Sequence, residues 1–137
     1  MTSRLNPYLA FNGNAREAME FYRSALGGEL TVNTFGDFGA PGPDLADKVM
    51  HSQLETEAGL TLMGADSAPD TDYQPGSAIS VSLTGDAGDG LHEAWEKLTV
   101  GGNITVPLEK QMWGDEFGQF IDRFGIPWMI NIAQPQD

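Results

Sequence analysis

Two segments of the sequence repeat one pattern. Residues 25–33 read ALGGELTVN and residues 99–107 read TVGGNITVP, so a pair of glycines is followed in both by one polar residue, one aliphatic residue and Thr-Val. Helical periodicity precedes each glycine pair and a β-branched run follows it. In a chain of 137 residues, this repeat indicates two copies of one structural unit, joined in tandem.

The segment before each glycine pair is predicted to be an amphipathic helix, because its apolar residues recur at intervals of three and four. We expect Asn14, in a capping box with Glu17, and Asp89 to cap the two helix starts. Gly27 and Gly101 are expected to supply the left-handed backbone that commonly ends a helix. The apolar stripes are Ala15, Ala18, Met19, Tyr22, Ala25 and Leu26 in the first copy, and Leu91, Ala94, Trp95 and Leu98 in the second.

Strands are predicted on both sides of each helix. Alternating apolar residues precede the helices, and β-branched residues follow them. The predicted strands are 7–11 and 30–35 in the first copy, and 78–83 and 104–108 in the second.

Each copy also closes in the same way. The sequence EAGLTLMGA at 57–65 aligns with RFGIPWMIN at 123–131. This alignment pairs Gly59 with Gly125 and Met63 with Met129. A glycine turn between two apolar runs predicts two antiparallel strands. Each copy is therefore predicted to be a β-α-β-β-β module.

The chain as a whole, residues 1–137, is predicted to be one α+β domain. The first module covers about 1–66 and the second about 77–137, and a linker at 66–77 is rich in Pro, Asp, Ser and Gly. An irregular loop at 36–47 has no counterpart in the second module. Two such modules are expected to form a curved mixed sheet with a concave ligand site, and the open sheet edges favour a homodimer.

Charge and composition limit the partners. Twenty acidic residues against seven basic ones give a net charge of −13, which disfavours nucleic acid and anionic membranes and favours a neutral or cationic small organic ligand. The absence of cysteine excludes thiol chemistry and Cys-based metal sites. No dinucleotide-binding motif is present, and we expect no cofactor. Without a secretory signal or a membrane-spanning apolar run, the expected location is cytoplasmic.

Three segments resemble a known family. They are NPYLAFNGNAREAMEFYRSALGGEL at 6–30, LMGAD at 62–66 and WGDEFGQFIDRFGIPWMINI at 113–132. Together with the tandem β-α-β-β-β pattern, they resemble the PhnB-like branch of the vicinal oxygen chelate superfamily. This branch is also described as glyoxalase-like or demethylubiquinone-methyltransferase-like. The superfamily includes glyoxalase I, extradiol dioxygenases, and fosfomycin and bleomycin resistance proteins.

The resemblance implies a metal site whose ligands this sequence lacks. In the superfamily, His and Glu side chains from four strands hold a divalent ion that polarises two substrate oxygens. The corresponding positions here are Pro7, Met63, Ala78 and Met129. A shift of one residue offers Tyr8, Leu62, Ile79, and Trp128 or Ile130. Divalent ions of this kind need oxygen or imidazole donors, so we predict that the metal site is lost.

His51 and Asp115 are the candidate catalytic residues of a metal-free enzyme. His51 lies in the run VMHSQLE, where Val49, His51 and Gln53 are expected to share one face, and it aligns with Phe117 of the second copy. Histidine is the side chain best suited to proton transfer near neutral pH, although a lone histidine in a strand more often has a structural role. Asp115 lies between aromatic residues in a segment expected to form the cavity rim.

The predicted ligand pocket combines aromatic and thioether side chains. Aromatic residues with one carboxylate suit a flat or cationic organic molecule, although the same residues also suit a dimer contact. Asp122 is predicted to be a turn acceptor rather than a catalytic acid, and His92 to be an ordinary first-turn helix residue. The predicted pocket residues are Tyr8, His51, Met63, Trp113, Phe117 and Met129.

Three functions remain open from the sequence. The preferred one is binding of a small organic molecule without a metal, as the resemblance to bleomycin resistance proteins implies. The second is a glyoxalase-like enzyme, of the lyase, isomerase or dioxygenase type. It would use a metal at other ligands, or His51 and Asp115 without one. The third is an interaction module that uses the aromatic segment as an interface.

Overall fold

The chain forms two compact units, residues 1–74 and 75–137. A computed structural model of the protein describes residues 3–39, 43–67 and 72–134. The boundary between the units falls inside the predicted linker at 66–77, of which residues 68–71 lie outside the described residues.

The first unit is a four-stranded mixed sheet with one long helix on one face. Its strands are β1 (Tyr8–Phe11), β2 (Glu29–Thr34), β3 (Val49–Glu55) and β4 (Thr61–Asp66), and the helix is α1 (Ala15–Leu26). The order across the sheet is β1-β4-β3-β2. Strand β1 runs parallel to β4, and the other neighbours are antiparallel.

Helix α1 buries its apolar stripe on this sheet as predicted, except that Ala25 and Leu26 are partly exposed. The closest approach of sheet and helix is at Gly64, where a Cβ atom would lie 3.0 Å from the Met19 sulfur and 3.0 Å from the Phe11 ring. A larger residue here would require these side chains to move. The main buried residues of this core are Phe11, Ala15, Ala18, Met19, Tyr22, Leu54 and Leu62.

The predicted irregular loop at 36–47 contains two short helical turns. A 3₁₀ turn covers Gly36–Phe38, and a four-residue helix, α2, covers Pro43–Ala46. Residues 40–42 lie outside the described residues.

The second unit repeats the arrangement of the first. Its strands are β5 (Val81–Asp86), β6 (Asn103–Lys110), β7 (Glu116–Ile121) and β8 (Pro127–Ala133), and its helix is α3 (Leu91–Leu98). The order is β5-β8-β7-β6, with β5 parallel to β8 and the other neighbours antiparallel. The predicted α+β class with two tandem β-α-β-β-β modules is therefore confirmed.

Aromatic rings dominate the core of the second unit. The Trp95 ring meets Phe120 edge-on at 5.1 Å between centroids, and Phe120 stacks on Trp128 at 6.2 Å. A Cβ atom at Gly118 would lie 2.6 Å from the Trp95 ring, so the helix packs even more closely here than in the first unit. The other main buried residues are Leu83, Leu91, Ala94, Leu98, Ile130 and Ile132.

The first strand of the second unit begins later than predicted. The expected strand at 78–83 is in fact Val81–Asp86. Residues 77–80 are exposed, and Ile79 has 82% of its surface accessible. The prediction was wrong because it took Ile79, an exposed apolar residue, as part of the alternating pattern.

The predicted caps of both helices are also wrong. Asn14 makes no side-chain cap hydrogen bond to α1. Instead the buried carboxylate of Asp66, at the end of β4, accepts a hydrogen bond of 2.9 Å from the Ala15 N–H. Asp89 belongs to a 3₁₀ turn, where it accepts a hydrogen bond from the Asp86 N–H. A carboxylate distant in sequence has replaced the local cap of α1. Gly27 and Gly101 do have the expected positive φ.

No helix in the described part of the chain is both long and apolar enough to cross a membrane.

Candidate functional site

Each sheet has one face packed against its helix and one face turned away from it. We call the second the helix-distal face, and its residues alternate with the buried ones along each strand. In the first unit the main residues of the helix-distal face are Tyr8, Thr31, Asn33, His51, Gln53 and Met63. In the second they are Ser82, Phe117, Gln119, Met129 and Asn131.

Three predicted pocket residues lie together on the first helix-distal face. Tyr8 is directly beside Met63 in the β1–β4 register. The Tyr8 hydroxyl lies 3.3 Å from Nδ1 of His51, and their rings are 5.8 Å apart between centroids. On β2, Asn33 is the register partner of His51. The phenol and imidazole form a hydrogen-bonded pair on a partly exposed surface.

The predicted alternation around His51 fails at one residue. Val49 is fully buried, like Ser52 and Leu54, whereas His51 and Gln53 are partly exposed. The register explains this, because Asn33 pairs with His51 and the next residue of β2 pairs with Val49, so one residue of β3 has no partner. Such a bulge reverses which residues face the core. Val49 therefore does not share a face with His51.

The aligned methionines occupy equivalent places in the two sheets. Met63 pairs with Gln53 across β4 and β3, and Met129 pairs with Gln119 across β8 and β7. The alignment of the two methionines from the repeat is confirmed. Neither glutamine was among the predicted pocket residues, although Gln53 was expected on the face of His51. The pairing of the closing strands would have placed each of them beside its methionine.

Three predicted residues also lie together on the second unit. The hairpin between β6 and β7 is closed by a hydrogen bond of 2.8 Å from the Gln111 N–H to the Asp115 carbonyl. At its tip the Trp113 ring meets Phe117 at 6.0 Å between centroids and 64° between planes. The Asp115 carboxylate accepts a hydrogen bond of 3.0 Å from the side-chain amide of Asn131. Asn131 is in turn the register partner of Phe117.

The two candidate catalytic residues belong to different units. His51 is on β3 of the first unit, and Asp115 comes just before β7 of the second. Each has a hydrogen-bond partner within its own unit, Tyr8 for His51 and Asn131 for Asp115. Their catalytic roles stay predictions.

Asp122 has the structural role that the sequence predicts. It is 3% exposed, and its carboxylate accepts hydrogen bonds from the backbone N–H of Phe124 at 2.8 Å and of Ile126 at 3.1 Å. It also accepts one from Nε1 of Trp128 at 2.8 Å. These bonds hold the turn between β7 and β8. Asp122 is therefore a turn acceptor.

His92 is more than an ordinary helix residue. Its Nε2 lies 2.6 Å from a carboxylate oxygen of Glu116, which joins α3 to β7 on the helix side of the sheet. The Glu116 carboxylate also accepts a hydrogen bond of 3.3 Å from Gln134. This pair is on the opposite side of the sheet from Phe117 and Met129.

The side chains at the expected metal positions do not fit a hard divalent ion. Because Ser82, not Ala78, is the register partner of Met129, the third position is corrected to Ser82. In the first sheet these side chains are Tyr8, Met63 and Gln53, and in the second they are Ser82, Met129 and Gln119. Each sheet therefore offers a hydroxyl, a thioether and an amide, and thioethers are poor ligands for such ions. In residues 3–39, 43–67 and 72–134, no group of three or more His, Cys, Asp or Glu side chains could hold a metal.

Comparison with known proteins agrees with this fold. The profile of the Glyoxalase/Bleomycin resistance protein/Dioxygenase superfamily matches residues 4–130. Protein YjdN of Escherichia coli is 28% identical, over 96% of this chain and 97% of its own length. Among solved structures, protein PA1353 of Pseudomonas aeruginosa is 37% identical with a TM-score of 0.88, over 98% of this chain and 100% of that one.

A second solved structure bears on the branch of the family. The PhnB protein from Bacillus cereus is 25% identical with a TM-score of 0.75, over 96% of this chain and 100% of that one. Both the superfamily and the branch agree with the resemblance found in the sequence. The chain therefore belongs to the glyoxalase, bleomycin resistance protein and dioxygenase superfamily, and its likeness to the PhnB protein supports a place in the PhnB-like branch.

Proposed function

We propose that this protein binds a small organic molecule, neutral or cationic, on the helix-distal faces of its sheets and without a divalent metal. The observation that carries the proposal is the pair Met63 and Met129. They occupy equivalent register positions, at which the resemblance to the superfamily implies metal ligands, and each has a glutamine beside it. A thioether with a neighbouring amide suits apolar contact and hydrogen bonding to an uncharged group.

The surrounding side chains support organic ligands rather than ions. Tyr8 and Trp113 expose more than half of their surface, so both rings are accessible to a ligand. Asn33 and Asn131 add amides that can both donate and accept hydrogen bonds. The net charge of −13 disfavours an anionic ligand.

A thermal-shift screen of metabolites and drugs tests the proposal. A ligand present at about one hundred times its Kd should stabilise the fold by about 2.7 kcal/mol and raise Tm clearly. Replacing Met129 with Ala should weaken binding of a hit, because it removes the thioether side chain from the face. Met112→Ala is the matched control, since Met112 is 99% exposed at the hairpin tip.

Two results would contradict the proposal. One is the absence of a shift with every compound of a broad panel. The other is a stoichiometric divalent metal that remains after purification and dialysis and that binding requires. The second result would favour the metal-dependent enzyme.

A metal-free enzyme is the second candidate, and the hydrogen bond between Tyr8 and His51 favours it. A phenol at 3.3 Å can orient an imidazole for proton transfer within the first unit, and Asp115 of the second unit stays the other predicted acid or base. If a panel compound is turned over, His51→Gln should abolish turnover without unfolding the protein. A variant that keeps full turnover would assign His51 a structural role.

We also propose that the protein is a cytoplasmic homodimer. In the described part of the chain, the outer strands β1, β2, β5 and β6 each have a neighbour on one side only within their sheets. Such edges favour pairing with another chain. Light scattering should give twice the monomer mass of 14.8 kDa, and a monomer at micromolar concentration would contradict the dimer.

A further inference from the structure

We infer that the β6–β7 hairpin binds a quaternary or N-methylated ammonium group. This inference rests on the proposed function, because it names the ligand class of the second helix-distal face. The binding surface consists of the Trp113 and Phe117 rings and the carboxylates of Asp115 and Glu109. We call these four residues the hairpin cluster.

The two rings of the hairpin cluster are arranged as the walls of a corner. At 64° between planes and 6.0 Å between centroids, the face of one ring is turned toward the edge of the other. Trp113 is 58% exposed, and Phe117 is partly exposed. A cation above a ring face is attracted by the negative potential of the π-system, and indole is the best ring for this contact.

Carboxylates lie on both sides of Phe117. On β8, its register partner Asn131 holds the Asp115 carboxylate through the side-chain amide. On β6, its register partner is Glu109. Residues directly opposite each other on neighbouring strands point to the same face. The exposed aromatic corner is therefore flanked by two negative charges.

No basic side chain neutralises these carboxylates among the described residues. The ion pairs of Arg4 with Glu55 and of His92 with Glu116 involve neither Asp115 nor Glu109. The nearest lysine in sequence, Lys110, pairs in register with Glu116, whose side chain is on the helix side of the sheet. The hairpin cluster thus combines exposed rings with uncompensated negative charge.

These features favour a methylated ammonium over other cations. A primary ammonium is strongly hydrated and would have to give up its water to reach the rings. N-methylated cations offer apolar methyl groups for ring contact together with a positive charge, which is the chemistry that aromatic cages recognise. A metal ion is disfavoured because only two carboxylates and one amide are available.

The test uses the full chain and choline as the probe. The three tryptophans give separate indole N–H signals in nitrogen-labelled protein, and Trp95 and Trp128 are buried references. Titration with choline should shift the Trp113 signal and leave the other two unchanged. The neutral carbon isostere of choline, which has the same shape without the charge, should cause a much smaller shift.

Substitutions separate the contributions of rings and charges. Asp115→Asn should raise the Kd for choline by about three- to tenfold, because one carboxylate of the cation site is lost. Glu93→Gln, on the exposed side of α3, is the matched control and should leave the Kd unchanged. Because removing Trp113 removes the reporter, Trp113→Leu is followed by calorimetry, and binding should be lost. Unchanged signals of Trp95 and Trp128 establish that the variants are folded.

Equal binding of choline and its neutral isostere would overturn the inference, as would a Kd that Asp115→Asn does not change. If choline leaves Trp113 unshifted while a neutral panel compound binds, this inference fails and the proposed function stands. If neither choline nor any panel compound binds, both fail.

Discussion

The two helix-distal faces share the register of their two closing strands and differ in chemistry. At one equivalent pair of positions, the first unit has His51 hydrogen-bonded to Tyr8, and the second has Phe117 packed against Trp113. Beside these positions, both faces have a methionine whose register partner is a glutamine. The duplicated fold has therefore kept a thioether–amide pair at its centre. One copy carries a titratable, hydrogen-bonding pair beside it, and the other carries an aromatic corner with carboxylates.

The two units also differ in the number of hydrogen bonds that a buried carboxylate accepts within each of them. Asp122 accepts at least three hydrogen bonds, two from backbone N–H groups and one from Trp128. Asp66 accepts two, from the N–H groups of Ala15 and Val49, and so ties the start of α1 to β3. Each carboxylate therefore satisfies several donors at once.

The largest expected effect comes from removing these carboxylates. Asp122→Ala should lower the free energy of unfolding by about 3 kcal/mol or more, because each unsatisfied buried donor costs about 1–3 kcal/mol. Asp66→Ala should cost less, since it leaves two donors instead of three. Urea unfolding measures both, with the exposed Asp72→Ala as the control. A larger loss for Asp66→Ala would reverse this comparison of the two units.

The second-largest loss of stability is expected from substituting the glycines at which helix and sheet pack closely. The added methyl group of Gly118→Ala would meet the rigid Trp95 ring at 2.6 Å and the Leu108 Cα at 2.9 Å. We expect a loss toward the upper end of the range of about 1–3 kcal/mol for overpacking.

Gly64→Ala provides the comparison in the first unit. There the nearest atoms are the Met19 sulfur and the Phe11 ring, both at 3.0 Å, and the methionine can adopt another rotamer. We expect a smaller loss than for Gly118→Ala in the same thermal unfolding experiment. Equal losses would mean that the aromatic core adapts as readily as the methionine.

The smallest effect on stability is expected from exchanging the residues that distinguish the two faces. His51→Phe and Phe117→His should each change the free energy of unfolding by less than about 1 kcal/mol, because both side chains are partly exposed. Ligand binding should respond unequally. Phe117→His should weaken a cationic ligand, and His51→Phe should leave that ligand unaffected, as calorimetry with each variant would establish.

Much of the fold could be predicted because its signals are local. The glycine pairs, the helical stripes and the two β-turn glycines are each encoded within a few residues. The caps could not be predicted in this way, because the carboxylate that serves Ala15 comes from Asp66, far along the chain. The bulge in β3 could not be predicted either. The segment VMHSQLE fits a regular alternating strand, and the unpartnered residue is evident only from the pairing with β2.

The candidate site was predictable only in part. Aligning the repeat identified Met63, Met129 and the equivalence of His51 and Phe117. The pairs that give these residues their chemistry, Tyr8 with His51 and Asp115 with Asn131, depend on which strands are neighbours. Sequence periodicity gives the face of a strand but not its neighbour in the sheet. These two hydrogen-bonded pairs were therefore identified only from the strand order of the structure.

Methyl NMR of methionine-labelled protein tests the central claim most directly. Met63 and Met129 lie on the helix-distal faces, while Met19, on α1, is fully buried and serves as an internal reference. With a compound found in the panel, and in buffer containing a metal chelator, we predict saturable shifts of the Met63 or Met129 methyl signal without a shift of Met19. Binding that leaves both methyl signals unmoved, or that disappears with the chelator, would contradict the account.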